Sequence, residues 1–206
     1  MVPVDLANST MGYFDTLPKS FADVPINDGE IETESFLTAA EGLVALFDAI
    51  NPIAFKPVKV DMLGNIKKIR DKYLVNPVAY CTLQKIVQAE AGQKDRTATQ
   101  GLLWLKRGLE FTAKALRRNM DNPAEELSAS FTAAYGVTLK QFHGMLVRPI
   151  FTIAMKACPY RKDFYTNLGD DPEQVQQGLE KWLSALETIL INLNAYYEKG
   201  NYAKGL

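Results

Sequence analysis

Apolar residues recur at intervals of three and four along most of this 206-residue chain. The longest run is the last: Val175, Leu179, Trp182, Leu186, Ile189, Leu193 and Tyr196. With about 3.6 residues per helical turn, that spacing gathers them into one stripe of an α-helix. Phe36, Ala40, Leu43, Phe47 and Ile50 keep the same rhythm, as do Leu102, Leu105, Leu109 and Leu116. No segment alternates polar and apolar residues convincingly enough for a strand, and there is no internal repeat or low-complexity tract. The pattern predicts an all-α chain. Residues 1–30 lack a period and contain Pro3, Pro18 and Pro25, so they read as an irregular lead before a single domain over 31–206.

Punctuation divides the helical part. The first helix stops before Pro52, because the residue ahead of a proline is pushed out of the helical region. A bend at Lys56 and Pro57 leads into a helix carrying Asp61, Asn65 and Lys68. Asn76 and Pro77 form a cap followed by a first-turn proline, predicting a helix that Gly92 ends. The next helix covers about 97–119, with Trp104, Gly108, Phe111 and Ala115 on a second stripe. Asn122 and Pro123 repeat the cap signal ahead of Leu127, Phe131 and Tyr135. Leu139, Phe142, Leu146, Ile150 and Ile153 predict one helix kinked at Pro149. A short segment surrounds Phe164, and Asp171 and Pro172 open the last helix.

Arithmetic excludes several functions. A net charge of −1 and a pI near 5.9 do not suit neutralisation of a phosphate backbone. The longest apolar runs fall well short of the roughly 20 residues a bilayer span needs. The N-terminus has no basic-then-apolar secretory pattern. Cys81 and Cys158 are too few for a disulfide scaffold and read as buried free thiols on helical apolar stripes, with the cytoplasm as the default compartment. His143 is the sole histidine, so no two-histidine metal site exists, and no glycine-rich phosphate loop appears. A nucleophile built from either cysteine and His143 lacks an evident activating cation. Neither catalysis nor a cofactor is predicted.

What remains is a dispersed polar set. Asp61, Asn65 and Lys68 stand at i, i+4 and i+7, within about 60° of one another on a helix. Met62, Ile66, Ile69 and Tyr73 line the adjacent face. Hydrogen-bonding groups beside an apolar wall suit a ligand that is polar at one end and greasy at the other. The same three residues also fit a plain solvated face, Trp104 fits a core position, and His143 fits a structural histidine. Residue patterning alone leaves these readings open.

The chain resembles the glycolipid transfer protein family, and more closely its fungal branch, the heterokaryon-incompatibility type. The resemblance covers about 30–206 and rests on Ile31 with Phe36 and Leu37, on Asp61, Gly64, Asn65 and Lys68, on Trp104-Leu105-Lys106-Arg107-Gly108-Leu109, on His143-Gly144, on Pro159-Tyr160 with Asp163-Phe164, and on Asn201-Tyr202. It implies a two-layer, all-helical sandwich of about eight helices. The implied activity is non-enzymatic transfer of glycosphingolipids by a monomer that touches membranes transiently.

The resemblance also implies roles. Trp104 would lie under the first sugar ring, while Asn65 and Lys68 would bond its hydroxyls. Asp61 would accept from the ceramide amide, His143 would donate to the amide carbonyl, and Tyr202 would close over the head group. The hydrocarbon tails would enter a tunnel lined by Phe47, Phe55, Val58, Phe111, Leu139, Phe151 and Phe164. The ceramide-1-phosphate branch carries cations where Asn65 and Trp104 stand, so this chain is expected to take a sugar. Met145 stands where animal members carry an interfacial tryptophan, leaving Met145, Leu146 and Arg148 as a weaker membrane footing. A sphingolipid sensor, in signalling or heterokaryon incompatibility, and a ceramide-1-phosphate carrier are alternative outputs of the same site. A helical scaffold whose polar set only decorates the surface is another.

Overall fold

The computed structural model describes residues 11–206. The helix α1 (Thr33–Ile50) begins where the Glu32 carboxylate accepts from the backbone N–H groups of Glu34 and Ser35 at 3.1 and 2.6 Å. It buries Phe36, Leu37, Ala40, Leu43 and Phe47 and ends at Ile50, two residues before Pro52. The helix α2 (Lys56–Val75) starts with Pro57 in its first turn, where a missing N–H costs nothing. Only Val58, Met62, Asn65, Ile66 and Ile69 of α2 are buried, so it lies at the surface with a polar face outward. Arg70 ties it to α1 through Glu34 and Glu41.

Asn76 closes α2 and does not open a helix at Pro77. Its Oδ1 accepts from the N–H of Ala79 at 3.1 Å, an Asx turn that competes with helical hydrogen bonding. The helix α3 (Leu83–Glu90) starts six residues later under a Thr82 cap, where Leu83, Ile86 and Val87 first supply a buried face. Asn122 likewise closes the helix α4 (Thr97–Asp121), and α5 (Leu127–Val137) begins only at Leu127.

The predicted helix through Leu139 to Ile153 is broken. A single 3-10 turn (Leu139–Gln141) leads through a loop containing His143 and Gly144 to α6 (Val147–Lys156). Pro149 falls in the first turn of α6, where its absent N–H has no intrahelical partner to lose, so it starts a helix and kinks none. Of the predicted stripe, Leu139 is buried, whereas Leu146 and Ile153 are 88 % and 66 % exposed. The helix α7 (Arg161–Leu168) follows, then α8 (Pro172–Lys199), capped by Asp171 Oδ1, which accepts from Glu173 and Gln174.

These eight helices form a two-layer sandwich with α4 at its centre, packed by α2, α3, α5 and α8, while α1 sits on α2 and α7. Residues 11–31 pack onto it. Tyr13 donates to the Gly42 carbonyl at 2.8 Å, and the Phe14 and Phe21 rings flank Trp182 with centroids 5.7 and 5.3 Å away. Gly178 makes room for Phe14, since a Cβ there would stand 3.0 Å from the ring. A two-residue hairpin pairs β1 (Ile26–Asn27) with β2 (Glu30–Ile31). Its turn is Asp28-Gly29, both at positive φ, a strong short-range hairpin signal that the search for longer alternating strands passes over. Neither cysteine lies on a helical stripe: Cys81 precedes α3 and Cys158 follows α6. Among the described residues no helix is long and apolar enough to cross a membrane.

Candidate functional site

The α2–α4 contact sets the site. Gly101 and Gly108, two turns apart, face α2. A Cβ on Gly101 would lie 3.1 Å from Lys68 Cβ and 3.2 Å from the Asn65 carbonyl, and one on Gly108 would touch Met62 at 3.4 Å. The two helices therefore pack backbone to side chain, and Trp104 stands on α4 between these two glycines, less than one turn on from Gly101.

On α2 the predicted trio forms one relay. Lys68 Nζ donates to Asn65 Oδ1 at 3.1 Å, and Asn65 Nδ2 donates to Asp61 Oδ2 at 3.2 Å. Asn65 is buried, so its amide is fixed from both ends, while Asp61 stands at the solvent rim. Desolvation by the surrounding protein raises the pKa of Asp61, and the charges of Lys68 and His143 pull it back. An acceptor with an unspent lone pair thus sits at the rim beside Lys68 and His143.

Across the site the Trp104 and His143 rings lie nearly parallel, 12° apart with centroids at 6.3 Å. The Tyr135 hydroxyl is 3.2 Å from His143 Nδ1. Burial lowers the His143 pKa, with Asp61 opposing and Arg148 assisting. The ring is accordingly neutral near pH 7. With Tyr135 donating to Nδ1, the assigned proton sits on Nε2, leaving that nitrogen as a donor. Arg148 Nε donates to the His143 carbonyl at 2.8 Å and anchors the loop from the α6 side.

The neighbours of Trp104 in its own motif have separate duties. The Arg107 guanidinium lies 3.6 Å from the Phe142 ring centre and 4.8 Å from that of Trp104, bridging α4 to the histidine loop. Lys106 is buried, donates to Asn194 Oδ1 and covers the Tyr197 ring, tying α4 to α8. Lys106, Arg107, Phe142, Tyr197 and Asn201 share a cleft of about 300 Å³.

Behind the polar rim runs a line of touching rings. His143 meets Phe151 at 4.5 Å, Phe151 meets Phe111 at 6.1 Å, Phe111 meets Phe131 at 5.6 Å, Phe131 meets Phe55 at 6.0 Å and Phe55 stacks on Phe47 at 5.1 Å. Four of the expected tunnel residues, Phe47, Phe55, Phe111 and Phe151, lie on this line. Val58 and Leu139 are buried in the same core, and Phe164 pairs edge-on with Tyr165 in α7, off the line. The rings are in contact, so a hydrocarbon enters only as they part.

Tyr202 stands apart from the other five polar-site residues. Its ring stacks on Tyr196 at 5.0 Å, and its N–H donates to the Tyr197 carbonyl at 3.0 Å. Asn201 at φ +50° turns the chain back, and a Cβ on Gly200 would strike the Tyr202 ring at 2.0 Å. Arg96 holds the Tyr202 carbonyl. The Asn201-Tyr202 pair therefore builds a helix terminus, with no ring contact or hydrogen bond to Asp61, Asn65, Lys68, Trp104 or His143 among the described residues.

Sequence reasoning passed over Gly101, Arg107 and Tyr135 as site residues. Gly101 and Gly108 carried a legible two-turn spacing, and Arg107 lies one turn from Trp104. Tyr135 and His143 are separated by a loop, so no helical period links them. The cysteines take no part: burial pushes the Cys158 thiol up to about 12, while Cys81 Sγ accepts from Lys85 Nζ at 3.3 Å, a neighbouring cation the sequence reading did not assign to it.

The family model described as Glycolipid transfer protein (GLTP) matches residues 31–170. A glycolipid transfer protein of Aureobasidium melanogenum is 54 % identical, with the match covering 89 % of this chain and 92 % of the relative. A human pleckstrin homology domain-containing family A member 8 is 38 % identical over 90 % of this chain, which spans only 38 % of that relative's length. The crystal structure of HET-C2, a fungal glycolipid transfer protein, superposes with a TM-score of 0.89 at 50 % identity, covering 93 % of this chain and 99 % of that one. A structure describing how FAPP2 selects simple glycosphingolipids with this fold gives a TM-score of 0.86 at 35 % identity, covering 94 % and 98 %. A mouse ceramide-1-phosphate transfer protein shares the fold with a TM-score of 0.80 at 22 % identity over 93 % of this chain and 98 % of that one. With the family model matching most of this chain and a relative 54 % identical over 92 % of that relative, the chain belongs to the glycolipid transfer protein family.

Proposed function

We propose that this chain extracts glycosphingolipids from one membrane and delivers them to another as a monomer, without covalent chemistry. The observation that carries this reading is the pairing, at one rim, of an acceptor (Asp61) with a neutral histidine donor (His143) over a ring-lined interior. A sphingolipid amide presents one N–H and one C=O, and those two groups answer it. A diacylglycerol lipid has no such N–H. Trp104 supplies a flat apolar face for a sugar ring, and Lys68 and Asn65 supply donors at its edge. A phosphate would call for clustered unpaired cations, whereas Asn65 and Trp104 are neutral and Arg107 is spent between two rings.

The energetics divide the labour. Moving a chain of about 16 carbons from bilayer to water costs roughly 13 kcal/mol at about 0.8 kcal/mol per CH₂. The interior must offset nearly all of it, so extraction exchanges one apolar solvent for another. Head-group hydrogen bonds, at about 0.5–1.5 kcal/mol net each, then choose among lipids. The tails enter by parting the ring line at Phe151, on α6, a helix that packs mainly on α5 and leaves its outer face in solvent. Met145 and Leu146, 85 % and 88 % exposed, are the membrane footing beside that mouth.

The test is competitive transfer from vesicles containing glucosyl-, galactosyl-, lactosyl- and phospho-ceramides. The sugar lipids should move at least roughly tenfold faster than ceramide-1-phosphate, a difference of about 1.4 kcal/mol. Equal or faster movement of the phosphorylated lipid would overturn the reading.

A further inference from the structure

The exposed apolar residues around the mouth share a segment with an unusual charge. Phe142, Met145, Leu146, Val147, Ile150 and Ile153 are all exposed. Leu146, Ile150 and Ile153 stand at i, i+4 and i+7, a single outward stripe of α6, while Phe151, Ala154 and Met155 face the core. Residues 127–162 contain no Asp or Glu and five cations, Lys140, Arg148, Lys156, Arg161 and Lys162. The rest of the chain holds eighteen cations against twenty-four acids. In a nearly neutral protein, the stretch that carries this exposed apolar stripe is therefore net positive.

The three lysines among those cations are not spent internally. None of the ion pairs among the described residues involves Lys140, Arg148, Lys156 or Lys162. Arg161 is engaged with Asn119, and Arg148 holds the His143 carbonyl with one of its nitrogens. Of the nearby acids, Asp48 pairs with Lys59, Glu125 pairs with Arg118 and Glu126 accepts from the Arg161 N–H, while Asp163, next to Lys162, is exposed and outside the ion pairs of the described residues. Lys140, Lys156 and Lys162 are left as exposed ammonium groups before, at the end of and after α6 in the chain.

We propose that this face docks on anionic membrane surfaces in preference to zwitterionic ones. The inference deepens the lipid-transfer reading by naming the surface on which the mouth opens. The apolar stripe enters the interface of any fluid bilayer, and it gives no preference for charge. The lysines do: with long apolar stems and charged tips they lie at head-group level, and each contributes about a fivefold gain on an anionic surface at moderate salt. Without an interfacial tryptophan at Met145, this charge term becomes a larger share of the docking.

Sedimentation with vesicles lacking any glycolipid separates docking from cargo selection. Phosphatidylcholine alone is compared with a mixture holding about 30 mol% phosphatidylserine, where binding should rise at least roughly tenfold and fall back at high salt. The variant K140E/K156E/K162E, whose side chains bond nothing in the head-group site, should lose the anionic preference while keeping native helicity and glycolipid binding in detergent. If it fails to fold, K140Q/K156Q/K162Q is read in the same assay. Equal binding to both vesicle types, or a preference that survives the lysine substitutions, would overturn the proposal. Transfer lost while vesicle binding persists would count against the carrier reading alone.

Discussion

Asp61→Asn removes one charge while keeping the side chain's shape, so it isolates what the carboxylate does. The asparagine Oδ1 still accepts from Asn65 Nδ2, now at 3.2 Å with the carboxylate, so the relay to Lys68 persists. What goes is the charge assistance in the bond to the lipid amide, the difference between about 1.5–3 and about 0.5–1.5 kcal/mol, or roughly 5- to 13-fold in affinity. The stability effect runs the other way. Desolvation raises the folded pKa of Asp61, so ionisation at neutral pH is less favourable in the folded protein than in the unfolded one. That penalty is absent below the ordinary carboxylate range and grows as pH rises through it. Asp61→Asn removes it, and the variant should melt at or slightly above the parent temperature at pH 7. The assay is intervesicle transfer of glucosylceramide beside a thermal melt. Transfer near the parent rate, or a melting temperature several degrees lower, would refute the reasoning.

Trp104→Ala should cut transfer at least about tenfold by removing the sugar platform, with Trp104→Phe intermediate, since a smaller ring keeps part of the face; transfer assays on both variants with matched circular dichroism check it. Gly101→Ala places a methyl 3.1 Å from Lys68 Cβ and 3.2 Å from the Asn65 carbonyl, so α2 must shift; a loss of about 1–2 kcal/mol and roughly 2–8 °C in Tm is expected, with slower transfer. Gly64→Ala, with nothing within 4 Å, is the control and should stabilise by about 0.5–1 kcal/mol without changing transfer. Tyr135→Phe frees the His143 tautomer and should weaken glycolipid binding by about 0.5–1.5 kcal/mol, read by titration. The depressed His143 pKa also means that stability falls as pH drops through the ordinary imidazole value of about 6.5 toward the lower folded value; a melt series in the parent and His143→Gln reads this, and the fall should be smaller in the variant.

The sequence exposed the helices with long apolar stripes, because three- and four-residue spacing records a face that must be buried. It misplaced the starts of α3 and α5, since Asn76 and Asn122 can close one helix as readily as open another, and only the later apolar faces decide. The α6 region misled for a different reason. Leu146, Ile150 and Ile153 form a true helical stripe, but a stripe says that a face is apolar, not that protein covers it. Within the site, Asp61, Asn65 and Lys68 were readable because one helix carries them all. The Tyr135–His143 contact and the Trp104–His143 stacking join residues across loops and helices, which no local period records. Asn201-Tyr202 was legible as a motif, yet its immediate work is to finish α8.

The amide clamp is tested most directly by amide hydrogen exchange in the complex with ¹⁵N-labelled glucosylceramide. The lipid N–H should exchange far more slowly when bound than in micelles, and Asp61→Asn should restore most of its exchange. A bound amide that exchanges as freely as in micelles, or protection unchanged by Asp61→Asn, would contradict recognition through Asp61.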